Sequence, residues 1–129
     1  MRPILLAMMM MMASAAAAQS APRFTIAGEA FAQADIADAR ALPRIDATPA
    51  VLVTMDGKAV ARLEAITRAH IGKAFPVMLD GQTVCEPVVQ TAIADGAIEM
   101  PCRFATIAEA AAFARAISGK DPLPDSLEE

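Results

Sequence analysis

Asp80-Gly81 divides two apolar runs, AFPVML at 74–79 and TVCEPVV at 83–89, and this pair constrains the fold more than any other feature of the chain. Both central residues of a tight hairpin loop take positive φ, which glycine adopts freely and aspartate tolerates. The flanking runs are apolar and partly β-branched, as strands are. The segment therefore reads as an antiparallel β-hairpin. Pro87 has no N–H to give to a ladder, so the second strand must lie at a sheet edge or stop there. Cys85 sits on that strand, and its chemistry decides whether the chain is an enzyme.

The other elements fall into place around the hairpin. FTIAGEAFA at 24–32 alternates weakly and reads as a strand. QADIADARALPRIDATPA at 33–50 is interrupted by Pro43 and Pro49 and reads as an irregular connection with some extended structure. AVLVTM at 50–55 is a strand. In 56–72, Asp56 is placed to cap a helix whose Val60, Leu63 and Ile66/Thr67 share a face, and Gly72 to end it. Asp95-Gly96 marks a turn into a strand near 97–103. Thr106 and Glu109 have the T-x-x-E spacing of a capping box. Ala110, Phe113, Ala114 and Ile117 follow at three- and four-residue spacing, and Gly119 stops that helix. Strands joined mostly by hairpins, with two helices, predict an α+β two-layer sandwich: a small, mainly antiparallel sheet with two helices packed on one face. The chain has neither Trp nor Tyr, so five Phe must fill the core together with Met, Ala and the aliphatics.

The ends carry different signals. MRPILLAMMMMMASAAAA at 1–18 places Arg2 before an apolar run and then small residues. That is the order of a secretory signal peptide, with cleavage near Ala18. The apolar run is short for ~30 Å of hydrocarbon. The domain plan is a signal peptide at 1–18, a leader with the first strand at 19–27, a folded domain at 28–124 and an acidic tail at 125–129. The mature chain is expected to be periplasmic or secreted, with no membrane span. Of the 11 Lys and Arg, only Arg2 lies in the signal peptide, which leaves 10 against 15 Asp and Glu, a balance near −5. The remaining cations are scattered singly, whereas nucleic-acid phosphates require clusters of them. No nucleic-acid partner is expected.

Cys85 and Cys102 are the two cysteines. Three readings stand open: a disulfide, two buried free thiols, or a reactive pair. An even count in an exported chain points to a disulfide, for which the Cα atoms must approach within ~7 Å. Redox dithiols are usually close in sequence, as in C-x-x-C, and these lie seventeen residues apart. His70 is the lone histidine. A small thiol enzyme or redox protein would pair it with Cys85 and an orienting carboxylate, Asp80 or Glu86. A position near the C-terminal end of its helix accounts for it without catalysis. Cys85, Cys102 and His70 lack a zinc-binding spacing. No Gly-rich phosphate loop, G-x-S-x-G or H-E-x-x-H occurs. Neither metal nor cofactor is expected. Asp35 and Asp38 read as a solvated turn.

From Gly28 to Pro124 the chain resembles the head subdomain of the first periplasmic domain of SecD, also found in fused SecDF. ADIADAR (34–40) resembles the segment leading into that head. PAVLVTMDGKAVARLEAITRAHIGK (49–73) resembles its strand, its helix and a T-x-x-N-x-G-K ending, with His70 in place of Asn. VMLDGQTVCEPVV (77–89) is similar to LDGxVxSAP, with Cys85 and Glu86 replacing Ser-Ala. IADGAIEMPCRF (93–104) is similar to I-x-x-G-x-x-x-I-x-G-x-F, with Cys102 replacing Gly. TIAEAAAFARAISGKDPLP (106–124) resembles the closing helix and its G-x-LP exit. The resemblance implies a non-catalytic module that contacts unfolded or emerging polypeptide, or components of the Sec translocon. It also implies that the two cysteine replacements fall on neighbouring strands, as a disulfide pinning an isolated head would. The expected working surface is the hairpin, through Asp80, Gly81, Val84 and Val88. A structural envelope protein that joins others at a sheet edge is the remaining alternative.

Overall fold

Two positive-φ residues, Ala27 (52°) and Gly28 (86°), turn the chain back on itself, so the segment 24–32 is a hairpin and not one strand. Phe24–Ile26 forms β1 and Glu29–Phe31 forms β2, paired antiparallel with Phe24 opposite Phe31. The structure is a computed structural model and describes residues 21–45 and 48–124. The signal peptide assigned to 1–18 and the tail at 125–129 lie outside those residues.

The proline-flanked connection also contains more order than its composition indicates. A single 3-10 turn, Gln33–Asp35, leads into β3 at Ile36–Leu42, which ends where Pro43 would break the ladder. β3 pairs antiparallel with β4, Ala50–Met55, with a register shift between Ile36 and Asp38. β4 pairs on its other side with β7, Ala97–Met100. The Asp80-Gly81 hairpin is as expected: both residues have positive φ, 51° and 85°, and join β5 (Val77–Leu79) to β6 (Gln82–Cys85). β5 also pairs with β1. The class is α+β, and every strand pair among the described residues is antiparallel. The strands divide between two sheets, one ordered β2-β1-β5-β6 and one ordered β3-β4-β7. β6 lies at an edge, as Pro87 requires.

Two helices complete the domain. α1, Lys58–Ala69, buries Ala59, Leu63, Ile66 and Thr67. Its N-cap is Gly57 with φ 56°, and no side chain caps it; Asp56 contributes its carbonyl oxygen to the Ala59 N–H at 3.0 Å. α1 is capped two residues before Gly72: His70 is the C-cap, and Gly72 takes φ 78°. α2, Ile107–Ser118, buries Ala110, Phe113, Ala114, Ile117 and Ser118. Thr106 Oγ1 accepts from the Glu109 N–H at 3.1 Å, while Glu109 Oε1 reaches one residue past the cap to the Ala105 N–H at 2.9 Å. Gly119 closes the helix in the left-handed conformation, φ 75°, donating to Arg115 O at 2.8 Å. α2 packs on β3 and β4, and α1 touches β4. Phe24, Ile26 and Val77 from the first sheet, Val51 and Val53 from the second, and Leu63 and Phe113 from the helices belong to one buried cluster. Thr67, fully buried, ties α1 to the loop after β6: its hydroxyl accepts from the Ile93 N–H at 2.9 Å.

Candidate functional site

β6 ends at Cys85 because Pro87 follows, and β7 ends at Met100 because Pro101 follows. The two chain segments that leave these edges come together. Cys85 and Cys102 form a disulfide, their Cα atoms 4.5 Å apart, and both residues are nearly enclosed, at 4% and 2% exposure. The bond therefore joins the four-stranded sheet to the segment leaving the three-stranded sheet. Thr48 Oγ1 donates to Cys102 O at 3.3 Å and steadies the second half of the bridge. A groove of about 450 Å³ runs over the bridge. It is lined by Thr83, Val84 and Glu86 on the β6 side and by Pro101 and Arg103 on the other. One carboxylate and one guanidinium stand at its rim, so the groove carries no strong net charge of its own.

The four expected site residues occupy different places along the hairpin and its continuation. Asp80 fastens the hairpin tip to the start of β1: its Oδ1 accepts from the Arg23 N–H at 2.8 Å, and its own N–H donates to Arg23 O at 2.8 Å. Gly81 is exposed at the tip. Val84 is half-buried and lines the groove. Val88, 50% exposed, lies beyond Pro87, where it bridges Ala74. Val84 is thus the one of the four that reaches the groove wall.

His70 Nδ1 lies 2.8 Å from Ile66 O. A carbonyl oxygen only accepts, so Nδ1 carries the proton. The ring stands edge-on to Phe75 with centroids 5.5 Å apart. These contacts make His70 a helix-end residue. Cys85 has no thiol to offer a base, because its sulfur is in the bridge. The thiol-enzyme reading has no nucleophile here. Among the described residues no group of three His, Cys, Asp or Glu is placed to hold a metal ion, and no helix is long and apolar enough to cross a membrane.

The pair read as a solvated turn is divided in the structure. Asp35 Oδ2 accepts from the Ala32 N–H at 2.8 Å and faces Arg62 at 3.6 Å. Asp38 is buried, at 8% exposure. Its Oδ2 accepts from Arg40 Nε at 2.8 Å and its Oδ1 from the Leu123 N–H at 2.7 Å. Burial alone would raise the Asp38 pKa, but the hydrogen bonds from Arg40 and Leu123, with the charges of Arg40 and Lys120, outweigh it and hold the carboxyl below its ordinary 3.8. A depressed native pKa means that the unfolded chain binds the proton more tightly. The resulting stability is fully present above the ordinary carboxylate range and is lost as the pH falls through the native value. The urea midpoint is therefore expected to fall below about pH 4, and to fall less in Asp38→Asn, where this group no longer titrates. Equal acid sensitivity in both proteins would count against the assignment.

The model of the family described as SecDF, P1 head subdomain matches residues 11–120. The chain belongs to the SecDF P1 head family. A relative, the protein translocase subunit SecDF of Thermus thermophilus, is 34% identical over 92 residues, which is 70% of this chain and 12% of the relative. A solved structure of SecDF, described as a membrane component that enhances protein export, superposes with a TM-score of 0.58 at 32% identity, over 71% of this chain and 41% of that one. A crystal structure of SecDF in a super-membrane-facing form gives 0.59 at 32% identity, over 71% of this chain and 12% of that one. The chain thus spans about an eighth of the full-length SecDF that it matches, and the correspondence is with the P1 head.

Proposed function

We propose that this SecDF P1 head works in protein export as an exported, non-catalytic module, and that it contacts extended polypeptide along the edge of β6. The observation that carries this reading is the position of β6: it is the outer strand of its sheet and borders the groove over the bridge. An outer strand presents backbone donors and acceptors that an extended segment can pair with, irrespective of its side chains. Sequence-tolerant contact of that kind suits a domain that meets many different exported chains. The near-neutral rim of Glu86 and Arg103 fits the same use, since it neither selects nor repels a charged ligand. Asp80 and Gly81 support the surface by fixing the hairpin tip, Val84 meets the ligand in the groove, and Val88 extends the contact past Pro87. Components of the Sec translocon are the partners that family membership favours, and the periplasm, reached after cleavage near Ala18, is the compartment.

A photoreactive side chain placed at Val84, in cells secreting a labelled exported protein, is expected to yield an adduct with that protein. The same group at Ala111, exposed on α2, should not. Equal adducts at the two positions, or none at Val84, would overturn the β6 reading. Amino-terminal sequencing of the mature protein tests the cleavage site separately.

A further inference from the structure

Asp38 and Arg40 grip the backbone of one residue, Leu123, which lies 85 and 83 positions away from them in sequence. Asp38 Oδ1 accepts the Leu123 N–H at 2.7 Å, Arg40 Nη2 donates to Leu123 O at 2.7 Å, and the two side chains are themselves linked at 2.8 Å. Both polar groups of the Leu123 peptide backbone are thereby engaged by β3. The Leu123 side chain contributes little to this: it is 51% exposed, and Pro122 and Pro124 beside it are exposed as well. The two prolines have no N–H, so the Leu123 amide is the one backbone donor available between 122 and 124. They also disfavour helical conformations at Asp121 and Leu123, which keeps the segment extended before it is gripped.

The segment is fastened at its other end too. Gly119 reverses the chain after α2, the Lys120 N–H donates to Ser118 Oγ at 3.3 Å, and Asp121 pairs with Arg115 of α2. Between these points there is no buried apolar side chain, because residues 119–124 are all exposed. What holds the segment is therefore polar and local to a few bonds, unlike the apolar contacts that hold the domain.

We propose that residues 119–124 form a preformed strap, latched to β3 by the Asp38–Arg40 clamp, which opens as a unit while the domain stays folded. Latched, the strap fixes the direction in which the chain leaves α2 relative to the three-stranded sheet. Opened, it frees that direction at the loss of a few hydrogen bonds and none of the core.

The test uses the full chain, with two variants. Leu123→Pro deletes the gripped N–H and leaves β3 and its side chains untouched. Asp38→Asn keeps the shape of the clamp and removes its charge. Cleavage by trypsin after Lys120 is expected to quicken roughly tenfold or more in both, the factor that loss of one charge-assisted hydrogen bond carries. Amide exchange in peptides covering Phe113–Ile117 should stay as in the parent protein. Unchanged cleavage after Lys120 in Leu123→Pro would overturn the proposal. So would cleavage that quickens only in step with exchange throughout α2, because the strap would then open with the domain and not apart from it.

Discussion

Phe24→Ala is expected to lower the unfolding free energy by about 3–5 kcal/mol, read from the urea midpoint. Phe24 lies on β1 and is 1% exposed. Its ring sits 6.4 Å from that of Phe31 on β2 and 6.1 Å, nearly edge-on, from that of Phe113 on α2. Phe113 in turn stands 5.5 Å from Phe104. β1 belongs to the four-stranded sheet, whereas α2 covers β3 and β4 of the other. Phe24 is thus a place where the two halves of the domain touch. Removing it loses apolar burial and leaves a cavity bounded by residues from separate layers, which cannot collapse around a smaller side chain without moving a sheet. Phe24→Leu keeps most of the volume and should recover most of the loss. A decrease below about 1 kcal/mol in Phe24→Ala would show that β1 is not part of the core.

The second large effect belongs to the bridge. The double variant C85A/C102A is expected to be less stable than the oxidised protein by roughly 3 kcal/mol, the chain-entropy value for a loop of this length. For a domain of this size that corresponds to a fall in Tm on the order of 15 °C. Reductant should lower the Tm of the parent protein to a similar degree and leave the variant unmoved. An unchanged melt after complete reduction, verified by counting two thiols, would contradict this. The physical reason for a large effect is the position of the bond. It joins segments from the edges of two sheets that share no strand, so the constraint acts between layers and not within a ladder that backbone hydrogen bonds already hold.

The sequence was most legible where the signal is local. Asp80-Gly81 dictates its turn by φ alone, and Thr106 with Glu109 announces the start of α2 within four residues. The spacing of Ala110, Phe113, Ala114 and Ile117 marks the buried face correctly. Legibility failed where partners are distant. β3 reads IADARAL, a run with three alanines and few residues of high strand preference; it is a strand because β4 pairs with it. Ala27-Gly28 is a weak turn signal, since alanine has no affinity for positive φ, and the pairing of β1 with β2 on either side of it holds it. Asp38 reads as a residue of a solvated turn because nothing within its own segment shows that Leu123 will arrive beside it. The spacing of the two cysteines allows them to meet, but it is silent on one ending an edge strand of the first sheet and the other lying just past the edge strand of the second, and the groove runs over the bridge between them.

The pairing of β1 with β5 sets an order of assembly. Phe24 faces Leu79, and Ile26 faces Val77. A polypeptide that emerges amino end first, from a ribosome or through a pore, presents the β1–β2 hairpin some fifty residues before its neighbour exists. A lone two-stranded hairpin is marginal in water. The opening segment must therefore wait, unpaired, until the stretch around Val77 follows, and the covalent lock has to wait longer still, for Cys102. A product cut short anywhere before β5 retains the first hairpin without a surface to rest on, and should be cleared by proteases as an unfolded chain.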